Sequence, residues 1–315
     1  MSTNLRSTIQ LGEQVVHRGI VIAPLFPRRQ PCADYIVLEE AIPLGFRVTE
    51  VDAAGSVPEL LAHNPLDSTV LLYDGEELVG AKQNRILNVT VLLSGVSETR
   101  IPVSCVEEGR WSARSAAFTA ARQTAYPALR RRKAELLSAD PLARGLAQGG
   151  VWDEVSAKAA RLDADAPTRA QADIFVSRDP DLRELRRAFP LVAGQSGAIL
   201  ALGQDALALD YVSHPCAFER LYPKLLDGYL LDALERLDAK PADRGTLESF
   251  VERVRVAPRS RRPSVGLGDD VRLRSGGVVG SGLEVDDELV QLSAFSSDDS
   301  VQPTTRVARP SRRGP

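Results

Sequence analysis

The stretch DGEELVGAKQNR, Asp74–Arg85, lies between the apolar runs STVLLY and RILNVTVLLS, and its reading decides whether this region is a sheet with a solvated turn or a sheet that carries a site. Asp74 and Gly75 suit a turn, because glycine tolerates positive φ and aspartate can bond the backbone ahead of it. A turn does not require Glu76, Glu77, Lys82, Gln83, Asn84 and Arg85 so close to core strands. If a strand resumes at Glu76, a period of two puts Glu76 and Leu78 on one side and Glu77 and Val79 on the other, so one carboxylate faces the interior or a cleft. Such a carboxylate must be paired, bound to a metal or protonated. Lys82 and Arg85 are its nearest partners in sequence. Two readings stay open: a buried ion-pair network that fixes a hairpin, or a site that positions a polar small molecule or supplies acid and base.

Outward from this stretch, residues 13–111 read as short extended segments, among them QVVHRGIVIAPLF, FRVTEV and TRIPVSCVE, rich in β-branched residues and punctuated by Gly, Pro, Asn and Asp. IVLEEAIPLGF suits a short helix between strands. Residues 112–190 change to Ala, Arg, Leu and Glu at helical spacing, which predicts helices near 113–138, 150–163, 167–177 and 180–188, with Asp179 capping the last and Pro180 at its first position. In 196–237, SGAILALG and ALALDYVS form a hairpin across Gly203, Gln204 and Asp205, and a long helix follows with Pro223 inside it. A helix near Thr246–Val254, a linker ending in PRSRRPS, and Gly-punctuated strands over 264–295 complete the pattern. Residues 297–315 have too few apolar side chains to fold and read as a disordered, Arg-containing tail. The expected class is α+β: an antiparallel β-rich N-terminal part, a helical middle, and a C-terminal β-hairpin closing the same unit, over 11–296.

The second polar constellation is IPVSCVEEGRW, Ile101–Trp111. Cys105 and Arg110 are spaced C-x4-R, one residue short of a thiolate-phosphate loop, and Glu107 and Glu108 oppose a thiolate. Cys105 therefore reads as a core residue. GQSG lacks the spacing of a nucleophile elbow, and GLGDDVRLRSGG lacks the GK[ST] ending of a phosphate loop.

Composition limits the functions available. With 43% apolar residues, 26% charged residues and a net charge of −3 over 315 residues, the chain can bury a core and is not a polyanion coat, so no nucleic-acid partner is indicated. Cys32, Cys105 and Cys216 are too few and too widely spaced for a disulfide framework, and three histidines offer a zinc ion few ligands. No run approaches the roughly 18 to 20 apolar residues of a membrane span, and no apolar run of the kind found in a secretion signal follows the opening MSTNLRSTIQ. The expected address is the cytoplasm, with no membrane partner.

Together DGEELVGAKQNR, RILNVTVLL and IPVSCVEEGRW, with QGGVWDEV, GQSGAILALG, FERLYPKLLDGYLLDAL and the run from VGLGDDVRL to LVQLSAF, resemble the ARPP-1 family, the ADP-ribosylglycohydrolase and rhodanese-phosphatase-superfamily-associated protein domain, from about Leu11 to Phe295. The family is a domain of unknown function named for its neighbours. The resemblance implies a setting of ADP-ribose or NAD-derived chemistry. It marks Asp74, Gly75, Glu76, Glu77, Gly80, Lys82, Gln83, Asn84, Arg85, Asn88, Cys105, Glu107, Arg110 and Trp111 as the polar signature. Where relatives end the last strand with His before the terminal Phe, this chain has Gln291. Three functions compete. In a metabolite-binding module, Lys82, Arg85 and Arg110 meet phosphate and Trp111 stacks on a base, with Asp74, Gln83, Asn84, Asn88 and Cys105 completing the ligand site. In a hydrolase or transferase, Glu76, Glu77 or Glu107 is the base, with or without a divalent cation held by Asp74 and the glutamates. In a scaffold, the motif is structural and a protein partner binds elsewhere. No motif identifies a cofactor, and oligomeric state is not legible.

Overall fold

The computed structural model describes residues 8–31, 33–52, 58–110, 112, 115–139 and 144–297. Cys32, Trp111 and the tail beyond Ser297 lie outside the described residues. Two large sheets and a small one organise the chain, with helices packed on them.

The largest sheet has nine strands. β1 (Ile9–Leu11) and β2 (Val15–His17) both pair with β3 (Ile20–Pro27), which continues through β13 (Gly197–Leu202), β14 (Ala206–Val212), β18 (Glu288–Ser296), β17 (Val278–Val285) and β16 (Asp269–Ser275) to β15 (Arg259–Pro263) at the edge. All its pairs are antiparallel. The last strands are thus inserted beside the β13–β14 hairpin, in the same sheet as the first. A six-stranded antiparallel sheet runs β12 (Phe118–Thr124), β8 (Glu76–Gly80), β9 (Arg85–Leu87), β11 (Ser97–Cys105), β6 (Glu59–Asn64), β5 (Arg47–Glu50). Three short strands, β10 (Val91–Leu93), β7 (Val70–Leu72) and β4 (Ile36–Val37), form the third, in which β4 and β7 run parallel.

Six α-helices are described: α1 (Leu38–Ala41), α2 (Pro127–Ala139), α3 (Arg144–Arg161), α4 (Gln171–Arg186), α5 (Pro215–Ala233) and α6 (Arg244–Val256). The architecture is α+β. Strand alternation divides the large sheet between two cores. Ala198, Leu200, Ala208 and Val212 join Leu225 and Tyr229 of α5, whereas Ile199, Ala201, Leu207 and Leu209 join Leu247, Phe250 and Val254 of α6 on the opposite face. A third core fills the six-stranded sheet with Leu60, Leu78, Leu87, Ile101 and Phe118.

The structure departs from the expected elements in three places. Residues 118–124, read as the start of a helix, are β12, and the helix begins only at Pro127. A register shift between Ala120 and Thr124 makes burial recur at Phe118, Ala121 and Thr124, a spacing of three that imitates a helical stripe. Second, the pair of helices expected on either side of Asp179 is one helix, α4, that runs through Pro180. The hydrogen bond lost at Pro180 is the one that the carbonyl of Val176, an exposed residue, would otherwise accept. Asp179 serves instead as an ion-pair partner for Arg183 and Arg186. Third, PRSRRPS is not a linker but contains β15, whose closing Pro263 is acceptable on an edge strand.

The elements meet at a fully buried carboxylate, Asp210 of β14. Its oxygens accept from Arg130 Nη1 and Nη2 of α2 at 2.9 and 2.7 Å, from Tyr73 Oη at 2.6 Å, from Tyr229 Oη of α5 at 2.7 Å and from Ser293 Oγ of β18 at 2.8 Å. Burial by itself would raise Asp210, but the charge and hydrogen bonds of Arg130, with those of Tyr73 and Tyr229, outweigh it and hold the group below its ordinary value. Replacing Asp210 with Ala leaves the Arg130 guanidinium buried without its main counter-charge. The expected loss is roughly 3 to 5 kcal/mol, read as a lowered urea midpoint at unchanged slope; a loss below about 1 kcal/mol would show that the pair is not structural.

Candidate functional site

DGEELVGAKQNR forms the turn into β8, β8 itself, and the tight turn into β9; Cys105 of β11 pairs directly with Arg85 of β9. The two polar constellations are therefore neighbours in one sheet. What they share is a closed polar interior: Asp74, Glu76, Glu77, Gln83, Asn84, Arg85, Asn88, Cys105, Glu107 and Arg110 are all buried, while Lys82 is half-buried at the β8–β9 turn.

Both carboxylates of EELVG are buried, one on each face of the strand. Glu76 accepts from the Tyr73 backbone N–H at 2.9 Å and from Lys224 Nζ of α5 at 3.3 Å. Glu77 accepts from Asn84 Nδ2 at 3.1 Å, Gln123 Nε2 at 2.9 Å and Gln171 Nε2 at 2.8 Å. A short bridge between Glu107 and Ala170, with the Gln171 N–H donating to Val106 at 2.9 Å, delivers Gln171 to this position. Glu107 is held by Arg110 Nε at 2.9 Å and Nη2 at 2.7 Å and by the Asn84 N–H at 3.0 Å. The remaining donors of Arg110 reach the carbonyls of Gly80, Ala81 and Ser112 and the side chain of Asn84, pinning the β8–β9 turn, where Gly80 and Ala81 have φ of +136° and +38°. Arg85 donates to Gln83 Oε1 at 3.1 Å, and Asn88 accepts from Ser104 Oγ at 2.8 Å.

Asp74 is paired with Lys133 and lies 3.7 Å from Arg130. Cations of α2 thus stand against the carboxylate proposed as a metal ligand, and among the described residues no group of three or more His, Cys, Asp or Glu side chains is arranged to hold a metal ion. Burial pushes Lys133 down to about 8, against the pull of Asp74. Gly75, at φ +84°, has a second constraint besides the turn: a Cβ there would lie 2.8 Å from Arg130 Cδ. At the far end of the same network Gln291, in the place where a His was expected, donates to Ser293 Oγ at 2.6 Å, and its buried Oε1 has no hydrogen-bond partner among the described residues.

Cys105 is sealed in the core. Its backbone N–H and C=O are both taken by Gln148 of α3, at 2.7 and 2.8 Å, so that a side-chain amide plays the part of a neighbouring strand. This accounts for the Gln of QGGVWDEV.

Sequence reading missed Gln123, Arg130, Lys133, Gln171, Asp210 and Lys224. For several the signal was present: Arg130 and Lys133 fall on the stripe Tyr126, Leu129, Ala134, Leu137, Lys224 falls between Leu221 and Leu225, and Asp210 interrupts ALALDYV. A charge on an apolar stripe needs a buried partner.

One open cleft touches this interior. About 710 Å³ in volume, it lies between β12, α4 and α5, and Gln123 and Lys224 in its wall are the same side chains that bond Glu77 and Glu76. Arg122, Arg183, Arg186 and Arg220 also line it, with Glu39, Asp179, Glu219 and Asp227 as counter-charges. Another cleft of about 360 Å³ touches none of the motif residues; of the four cations in its lining, Lys158 and Arg161 are engaged by Asp232, Glu235 and Glu154, Arg131 lies 4.0 Å from Glu135, and Arg236 pairs with Asp205. No described helix is long and apolar enough to cross a membrane.

Burial pushes Glu77 up to about 7, against the donors from Gln171, Gln123 and Asn84. The folded protein then holds a proton that the unfolded chain has released, so the contribution of Glu77 to stability is complete below its ordinary value of 4.5 and lost as pH rises through about 7. Glu77→Gln cannot titrate. The stability of wild type minus that of Glu77→Gln, from urea denaturation across this range, should fall by a few kcal/mol as pH rises and then level off; a difference independent of pH would show that Glu77 is not shifted. Burial likewise pushes the Cys105 thiol up to about 11, while Cys216 is exposed. Mass spectrometry after iodoacetamide treatment of the native protein should find Cys216 modified and Cys105 intact.

The ARPP-1 family model, described as the ARG and Rhodanese-Phosphatase-superfamily-associated Protein domain, matches residues 8–295. No curated protein and no solved structure gives a match. The matched span takes in both large sheets, all six described helices and the whole buried network, and the chain belongs to the ARPP-1 family.

Proposed function

We propose that this protein is a binding module for a phosphorylated, ADP-ribose-like or NAD-derived metabolite, held in the cleft between β12, α4 and α5. The observation that carries the reading is the double role of Gln123 and Lys224: each lines the cleft and each is oriented from behind by a buried carboxylate of EELVG. Binding sites work when their contact groups are held in place beforehand, and Glu76 and Glu77 do this from beneath the floor. The volume falls within the range of small-molecule pockets. Arg122, Arg183 and Arg220 are exposed in the lining, and their planar guanidiniums suit the oxygens of a phosphate group. The family name records an association with ADP-ribosylglycohydrolase and rhodanese-phosphatase proteins, which supports this ligand class. In this reading Arg85 and Arg110 shape the site from the interior and do not touch phosphate.

A second reading, a carboxylate-dependent hydrolase or transferase, draws on one observation: Glu77, at about 7, is poised as an acid–base group near neutral pH. Its oxygens are occupied by three amides, however, and a substrate would have to displace Gln123 to reach them.

Calorimetry decides between them. With ADP-ribose, NAD and AMP as titrants, at least one should bind, and Arg122→Glu, at the exposed rim, should weaken binding ten-fold or more with an unchanged melting temperature. Absence of heat with all of them would remove the metabolite reading. Slow turnover of the bound compound that is abolished in a folded Glu77→Gln variant would favour the enzyme.

A further inference from the structure

Away from this cleft, the nine-stranded sheet ends on a strand with an unusual composition. β15 is RSRRP, Arg259–Pro263, and among the described residues it pairs only with β16. The hydrogen bonds Arg274 N–H to Pro258 at 3.4 Å and Ser264 N–H to Gly268 at 2.9 Å fix the parity of the ladder. Opposed pairs 258/274 and 264/268 are hydrogen-bonded, so in antiparallel alternation 260/272 and 262/270 are too. The N–H and C=O groups of Arg259 and Arg261 therefore point away from the sheet, as does the carbonyl of Pro263. They form a row of strand-pairing groups against which no strand of the described residues lies.

A groove of about 440 Å³ follows this edge, lined by Pro258, the residues Arg259 to Arg262, Arg272 and Arg274, and by Leu137 of α2. Five arginines in one groove are only partly neutralised. Arg261 pairs with Glu284 and Asp287, and Arg262 and Arg272 share Asp270. Arg259 gives one nitrogen to Glu284 at 3.2 Å, but its buried Nε and Nη2 have no hydrogen-bond partner among the described residues. Arg274 is exposed and makes no ion pair with a described residue. In the ladder Arg259 stands opposite Leu273, so Arg259 and Arg274 project from opposite faces of the sheet.

We propose that the β15 edge is a docking site for an extended acidic peptide, which adds to the sheet as a further strand. Backbone pairing with Arg259 and Arg261 supplies the geometry, and carboxylates supply the missing counter-charge. Because the two under-neutralised arginines lie on opposite faces, the partner needs acids at consecutive positions, whose side chains alternate between faces. A run of Asp and Glu meets this requirement, and a segment with acids at every second position meets it on one face only. Pro263 and the arginines themselves keep the edge from pairing with a second copy of β15, since like charges would face each other.

The test uses the intact protein and a fluorescently labelled eight-residue peptide of consecutive Asp and Glu, followed by anisotropy. Arg274→Glu, a change at an exposed position, should weaken binding at least ten-fold. Arg261→Ala and Arg261→Pro both remove the guanidinium, but only the proline removes an outward N–H, so the proline variant should bind the more weakly of the two. Of two peptides N-methylated at alternate residues, in the two opposite phases, one should lose binding and the other keep it. Equal binding of both methylated peptides would show charge attraction without strand addition and overturn the proposal. So would failure of the acidic peptide to bind, or tighter binding of a single-stranded oligonucleotide than of the peptide.

Discussion

The buried pair of Arg130 and Asp210 is the interaction on which the other elements depend. A carboxylate in the middle of an apolar strand and a guanidinium on the apolar stripe of a helix would each be costly alone. Together, with two tyrosines and Ser293, they satisfy almost every donor and acceptor. They also join α2, α5, β14, β18 and the residue that follows β7 at one point. Arg130 is further enclosed by the rings of Tyr73 and Phe295, each with its centroid 5.3 Å from the guanidinium carbon. The small sheet is thereby attached to the large one through polar contacts that allow one arrangement, where apolar packing alone would tolerate several.

The same logic extends into the motif. Glu76 and Glu77 are adjacent, and strand geometry sends one toward Lys224 of α5 and the other toward Gln171 of α4. One dipeptide so engages two helices, which also meet each other through Arg186 and Asp227. Gln123, from β12, completes the set, and the cleft between those helices is a consequence of where these contacts hold them. A polar interior of this kind provides orientation more than net stability, because each buried charge is offset by its own desolvation.

The strands around DGEELVGAKQNR, the β13–β14 hairpin, the long α5 and the closing strands were legible because their alternation or stripe is intact. β12 was not, because its bulge imposes a spacing of three on a strand, and β15 was not, because an edge strand needs no apolar face. In the candidate site, local alternation sends one carboxylate of the Glu76–Glu77 pair inward and leaves the other outside. It could not show that both are buried, since the partners of Glu77 lie 46 and 94 residues away in sequence and arrive only through tertiary packing. Lys82, Arg85 and Arg110 were near in sequence, yet Arg85 and Arg110 are spent on the turn and on Gln83, Asn84 and Glu107.

Gly75 answers to two demands that come from different scales. The turn asks for a residue that accepts left-handed backbone, and Asn or Asp could meet that demand nearly as well as glycine. The Arg130 stem, crossing directly over the α-carbon, asks for the absence of any side chain at all. The two demands overlap at a single amino acid, so the position is locked by its remote neighbour even where its own backbone would leave a choice. A dipeptide that reads in isolation as ordinary loop punctuation is thus part of the keystone of the molecule.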